Sequence, residues 1–163
     1  MSIQKGDPIP NAKVFELDAQ GAPRAVSAAE RFAGKRVVLF AVPGAFTRTC
    51  SQVHLPSFVQ NADAIKAKGV DEIVCMAVND VMVLAAWARE NGASGKISMV
   101  SDGLCEFTRA LGLEQDLSER GFGMRSKRYA MIIEGGKVAD IQIEPPGACD
   151  VSKGDAVLQR IGA

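Results

Sequence analysis

The sequence carries no excess of either charge: 19 Lys and Arg stand against 19 Asp and Glu. Nucleic acids and anionic membranes are ordinarily met by a basic surface, so neither is expected as a partner. No window approaches the ~20 apolar residues of a membrane span, and the best candidate is cut by Pro43. The opening MSIQKGDPIP lacks the apolar stretch of a secretory signal, and the expected setting is the cytoplasm. The four cysteines, Cys50, Cys75, Cys105 and Cys149, form no C-x-x-C pair, which excludes a zinc ribbon and a dithiol redox motif. With a single histidine, His54, no set of metal ligands is written at sensible spacing. Internal repeats and low-complexity tracts are also missing. What is present is ordinary: 163 residues, 47% apolar, enough for one domain over residues 1–163 with a sizeable core.

The first 35 residues are rich in turn formers, with KVFEL at 13–17 as an expected edge strand and SAAERFAG at 27–34 as a short helix. RVVLFAV (36–42) reads as a buried strand. From Thr49 to Lys68 the apolar residues recur at helical spacing, Gly69 is the stop, and Pro56 should bend the helix about one turn from its start. DEIVCMAVND (71–80) is a second buried strand feeding a helix over 81–91, and KISMVSD (96–102) a third, feeding a helix over 104–112. Residues 113–127 read as irregular; 128–144 hold two alternating strands around Gly135-Gly136, a hairpin signal. SKGDAVLQRIG (152–162) opens with a Ser-x-x-Asp cap and reads as a last helix. Strands alternating with helices and closed by a hairpin predict an α/β layer fold of thioredoxin-like type, a central mixed sheet with helices on both faces.

PGAFTRTC (43–50) follows the first buried strand directly and places Cys50 where a strand end meets a helix start, the usual seat of a site in open α/β sheets. An ordinary cysteine is only about three per cent thiolate at pH 7. Bringing a pKa near 8.5 down to about 6 takes roughly 3.4 kcal/mol, and a helix dipole supplies only ~0.3–1 kcal/mol of it. An arginine close to the sulfur is therefore required. Hydroxyls of Thr47 and Thr49 could donate to the sulfur or to an oxygen beside it, and Gly44 and Ala45 are small enough to let backbone approach whatever meets Cys50. A buried helix-start cysteine with no chemistry is the competing reading of the same residues.

PGAFTRTC matches the P-x-x-x-T-x-x-C motif of the peroxiredoxins, thiol peroxidases of thioredoxin-like fold. SQVHLPSF, KGVDEIVCMAVND, SDGLCEFTRALGL and RSKRYAMIIEGGKV resemble the type II and type V branch in the same order. The resemblance implies a peroxidatic Cys50 that reduces hydrogen peroxide or organic hydroperoxides and becomes a sulfenic acid, with no metal, haem or flavin. It implies Pro43 as the shield of the sulfur, Thr47 as the hydroxyl that holds the peroxide, and the N–H groups of Thr49 and Cys50 as its cradle. Of Arg125 and Arg128, the family's arginine directly precedes a strand, which selects Arg128. Arg48 departs from the proline that many members of the branch carry. A homodimer is implied in the same way, and so is regeneration by glutathione and glutaredoxin or by thioredoxin.

Other residues have two readings each. His54, four positions after Cys50, is a base in a cysteine hydrolase or a structural hydrogen-bonding group. Cys75 and Cys149 are candidates for the thiol that resolves the sulfenic acid; each is also explained as packing or as an unused loop residue. Cys105 is expected to pack. Phe122 and Met124 of GFGM either fold onto the core or, as the resemblance implies, form with Phe46 an entry collar or subunit contact, and Asn79 and Asp80 are expected to cap the following helix. Because a buried sulfenic acid must meet a reductant, the turn near 49–52 is expected to unwind during the cycle.

Overall fold

The computed structural model describes residues 2–161. Along the chain run β1 (Lys13–Leu17), β2 (Pro23–Ser27), α1 (Ala28–Phe32) and β3 (Arg36–Ala41), then α2 (Leu55–Ala67), β4 (Glu72–Ala77), α3 (Val81–Glu90) and β5 (Ser98–Ser101). They are followed by α4 (Glu106–Leu111), β6 (Glu114–Asp116), β7 (Met124–Ser126), β8 (Tyr129–Glu134), β9 (Lys137–Ile143) and α5 (Gly154–Arg160).

Strand β3 reads as an unbroken apolar run because both of its faces are covered. Val38 and Phe40 enter one core with Leu55, Phe58 and Ile65 of α2, Leu84 and Trp87 of α3, and Val157 of α5. Val37, Leu39 and Ala41 enter the other, with Phe32 of α1 and Phe107 and Leu111 of α4. The seven-stranded sheet has the order β2-β1-β5-β4-β3-β8-β9. Its centre, β5-β4-β3, is parallel, and β8 and β1 join it antiparallel on either side. This is the expected mixed sheet with helices on both faces.

Three local readings are corrected. KVFEL is not an edge: β2 lies outside it, because PRAVS pairs with β1 in full register from Lys13–Ser27 to Leu17–Pro23. Within 113–127, β6 and β7 form a two-stranded ribbon around a 3₁₀ turn, too short to leave a periodic signal. The Ser-x-x-Asp cap does not form; Lys153 occupies the cap position, and Ser152 donates its hydroxyl to Glu144 Oε2 at 2.7 Å.

The segment after β3 departs most usefully from expectation. Cys50–His54 is a π turn, closed by the Leu55 N–H reaching back to the Cys50 carbonyl. Pro56 then sits in the first turn of α2, where a missing N–H costs nothing. The proline therefore stands where the π turn passes into the α-helix, and the backbone stays helical through Thr49, His54 and Leu55. Helix α5 locks onto this region: a Cβ on Gly154 would lie 2.3 Å from the Ser57 carbonyl oxygen, so only glycine admits the approach. The Gly154 N–H donates to Ser57 Oγ at 2.9 Å, and that hydroxyl donates to the His54 carbonyl at 2.6 Å.

Candidate active site

The loop 43–49 leaves β3 and turns sharply, with Phe46 held at φ +64°, a conformation that costs a non-glycine residue energy. Thr47 folds the loop on itself by donating its hydroxyl to the Gly44 carbonyl at 2.6 Å. Asn79, at the end of β4, pins the loop from the side: its Oδ1 accepts from the Ala45 N–H at 2.9 Å. Asp80 does cap α3, accepting from the Val83 N–H, whereas Asn79 serves the loop instead. Arg125 holds the other side, donating to the Pro43 carbonyl at 3.3 Å and the Phe122 carbonyl at 3.0 Å. The space a Cβ on Gly44 would take is filled by Arg125 Nη1, 2.8 Å away. Gly44 is thus small for the sake of Arg125, a correction to the idea that it makes room at Cys50.

Cys50 is fully buried at the start of the π turn. The Ser51 N–H is taken by the Thr47 carbonyl at 2.9 Å, which sets the beginning of the turn; the N–H groups of Thr49 and Cys50 lie ahead of it, at the open end. Among the described residues the side-chain donor on the sulfur is Arg128, whose Nη2 lies 3.2 Å from Sγ. The Thr47 hydroxyl has given its proton to Gly44, so the expected donation from Thr47 to the sulfur is not made. Its lone pairs remain, which makes it an acceptor toward anything entering.

Arg128 serves two partners. Its Nη1 lies 3.0 Å from His54 Nδ1, and His54 Nε2 lies 2.9 Å from the Ser152 carbonyl. A guanidinium can only donate and a carbonyl can only accept, so His54 is neutral with its proton on Nε2. Burial, reinforced by the Arg128 charge and opposed by the Ser152 bond, pushes its pKa down to about 3. A histidine whose Nδ1 lone pair is engaged and whose ring packs tilted against Phe40 and Phe58 is no general base. It aligns Arg128, a role that the spacing from Cys50 allowed but did not single out. Glu144 organises the supporting loop, its Oε2 accepting from the Asp150 and Ser152 N–H groups.

The remaining cysteines differ in access. Cys75 lies in β4 with no exposed surface, and burial pushes its thiol well above the ordinary range. Cys149 is half-buried on the loop after β9; burial raises it to about 11 against the lowering effect of Arg128. Cys105 is buried at the start of α4, as expected of packing.

A cavity of about 340 Å³ opens over this arrangement, lined by Pro43, Thr47, Thr49 and Arg128 together with Phe122 and residues 143–148. The structure therefore brings together Cys50, Thr47, Pro43, Thr49 and Arg128, and Cys75 lies fully buried in the same core as Cys50, close enough to feel the Cys50 and Arg128 charges. Phe122 lines the mouth, as expected of a collar, while Phe46 lies exposed elsewhere on the loop.

Comparison with known proteins gives a consistent picture. The Redoxin family model matches residues 4–158. The chain is 40% identical to "Peroxiredoxin-2B" of Arabidopsis thaliana, over 98% of each chain. It is 44% identical to the chloroplastic "Peroxiredoxin-2E-2" of rice, over 98% of this chain and 73% of the relative. Reduced Prx3 of Vibrio vulnificus, solved in complex with H2O2, superposes with a TM-score of 0.94 at 46% identity, covering 98% of this chain and 99% of that one.

Proposed function

The chain belongs to the type II/type V branch of the peroxiredoxins, within the redoxin family, and we propose that Cys50 is the sulfur with which it reduces peroxides. The observation that carries this reading is Arg128 Nη2 at 3.2 Å from Cys50 Sγ, at the open end of the π turn and beside a cavity. The Cys50 thiolate attacks one peroxide oxygen, the O–O bond breaks, and the departing oxygen leaves as water or an alcohol after taking a proton. The sulfur is left as sulfenic acid. Arg128 stabilises first the thiolate and then the charge on the leaving oxygen. Thr47 accepts from the peroxide hydroxyl, the N–H groups of Thr49 and Cys50 donate to it, and Pro43 limits water at the sulfur.

An external thiol restores Cys50 in this reading. Cys75 shares a core with Cys50 but has no exposed surface and a thiol that burial pushes well above the ordinary range, and a thiol at about 11 such as Cys149 is about one part in ten thousand thiolate at pH 7, against about three per cent for an ordinary thiol. Glutathione with glutaredoxin, or thioredoxin, then forms a mixed disulfide with Cys50 and releases water. Since Cys50 has no exposed surface, the Cys50–His54 turn unwinds to admit the reductant. Mass spectrometry of protein treated with one equivalent of peroxide and then glutathione tests the sequence of states: Cys50 sulfenic acid, then a Cys50–glutathione disulfide. An internal disulfide from Cys50 to Cys75 or to Cys149 formed in preference would overturn the external route.

We also propose a homodimer through the loops after β3, β4 and β5. Phe46 on the loop after β3, Met82 in the first turn of α3 and Leu104 on the loop after β5 are all at least half exposed, at 51%, 53% and 56%. The loops are tied side by side, Asn79 bonding to Ala45 and accepting at its carbonyl from Ser101 Oγ at 2.6 Å. Large apolar side chains clustered on one end of a sheet need a cover. The variant Phe46→Glu is expected to sediment as a monomer at concentrations where the parent is a dimer; identical sedimentation of the two would place the contact elsewhere.

A further inference from the structure

The cavity above Cys50 is far larger than hydrogen peroxide needs: about 340 Å³, where a water occupies about 30 Å³. Its lining is also lopsided in charge. Arg48, Arg120, Lys127 and Arg128 face one acid, Glu144, although the chain as a whole balances at 19 against 19. Arg128 is committed to Cys50 and His54. Glu144 is buried, and its Oε2 is consumed by Asp150 and Ser152. Arg48, Arg120 and Lys127 remain: they are exposed and join no ion pair among the described residues. They come from three places, the loop leading into the Cys50 turn, the β6–β7 ribbon and the approach to β8, and converge on one opening. Between them the wall is apolar, with Leu117, Phe122, Ile143 and Pro145.

We propose that Arg48, Arg120 and Lys127 form an anion-recognising collar that selects small organic molecules carrying a carboxylate a few atoms from the reacting hydroperoxide or thiol. The apolar wall takes the carbon segment, and the cations take the carboxylate. Convergent like charges at a cleft raise the local concentration of an opposite charge, and salt weakens the effect. The inference rests on Cys50 being the reacting sulfur. Two molecules of the cycle have this chemistry, an organic hydroperoxide acid and glutathione, and they act on different half-reactions.

The two arms are measured separately at low and high salt, in the parent protein and in the triple variant Arg48→Gln, Arg120→Gln, Lys127→Gln. One arm follows Cys50 oxidation by 4-hydroperoxy-4-methylpentanoic acid and by its methyl ester. The other follows reduction of the sulfenic form by glutathione and by glutathione diethyl ester. An exposed ion pair is worth up to roughly five-fold, so three sharing one carboxylate give an acid-over-ester preference on the order of ten-fold. That preference, corrected by the ratio in the triple variant for the esters' own reactivity, should shrink at high salt. A preference in the first arm assigns the collar to the hydroperoxide, and in the second to the thiol. Ratios that are the same in parent and triple variant in both arms overturn the collar. Hydrogen peroxide separates the two claims: if it still oxidises Cys50 while both ratios stay flat, only the collar fails; if no peroxide oxidises Cys50, the functional reading fails with it.

Discussion

Replacing Arg128 by methionine is expected to slow the oxidation of Cys50 by hydrogen peroxide by about a hundred- to a thousand-fold, the usual loss when one preorganised donor is taken from a developing charge. The guanidinium is fixed from both ends. Nη1 is held 3.0 Å from His54 Nδ1, which leaves Nη2 aimed at Sγ. Methionine keeps the apolar stem and removes the charge and both donors. It also leaves His54 Nδ1 buried without a donor, a cost of about 1–3 kcal/mol in stability. Lysine should recover little, because one ammonium cannot match the two directions of a planar fork. Stopped-flow fluorescence can follow the reaction through Trp87, whose Nε1 donates to the hydroxyl of Ser51, the neighbour of Cys50, at 2.9 Å. A loss smaller than ten-fold in Arg128→Met would mean that the arginine is not the group that stabilises the reacting sulfur.

Much of this arrangement is legible in the chain, for identifiable reasons. Buried parallel strands announce themselves because both faces are covered, and RVVLFA and EIVCMA are apolar on both periods of the pleat. The position of Cys50 follows from the strand end before it and the helical spacing after it. Arg128 could be preferred to Arg125 because it abuts a strand, and the structure sends Arg125 to the Pro43 carbonyl instead. What could not be read depends on contacts distant in sequence. The partners of His54 lie 74 and 98 residues away, so nothing local distinguishes an aligning histidine from a base. The π turn is set by Pro56 and by packing against α5, whose Gly154 looks like any helix-start glycine until Ser57 is found against it. β6 and β7 are three residues long, below the length at which alternation becomes a signal, and β2 opens on Pro23, which masks it as a strand.

The same histidine makes the fold sensitive to mild acid. In the folded protein His54 is neutral down to about pH 3, because burial and then the Arg128 charge oppose its protonation; in the unfolded chain the imidazole takes a proton near pH 6.5. Between those values the unfolded state binds more protons, so stability is fully present above pH 6.5 and falls as the pH drops. The slope approaches about 1.4 kcal/mol per pH unit, roughly 2 kcal/mol lost by pH 5 and on the order of 5 kcal/mol by pH 3. Glu72 adds to the loss only below its ordinary range: burial pushes it up, but its bonds to Arg31 and Ser98 outweigh this and hold it at about 2. Asp102 opposes the loss, since burial raises its carboxyl despite bonds from Thr108 and Phe107, and the folded state takes up that proton first. The interval from pH 6.5 to 5 therefore isolates His54 best. Urea unfolding in that interval should show the parent losing stability while His54→Gln, which can still accept from Arg128 and donate to Ser152, stays nearly level. Parallel curves for the two proteins, or an imidazole seen by NMR to titrate near pH 6.5 in the folded parent, would mean that His54 is not the neutral link between the Ser152 carbonyl and Arg128.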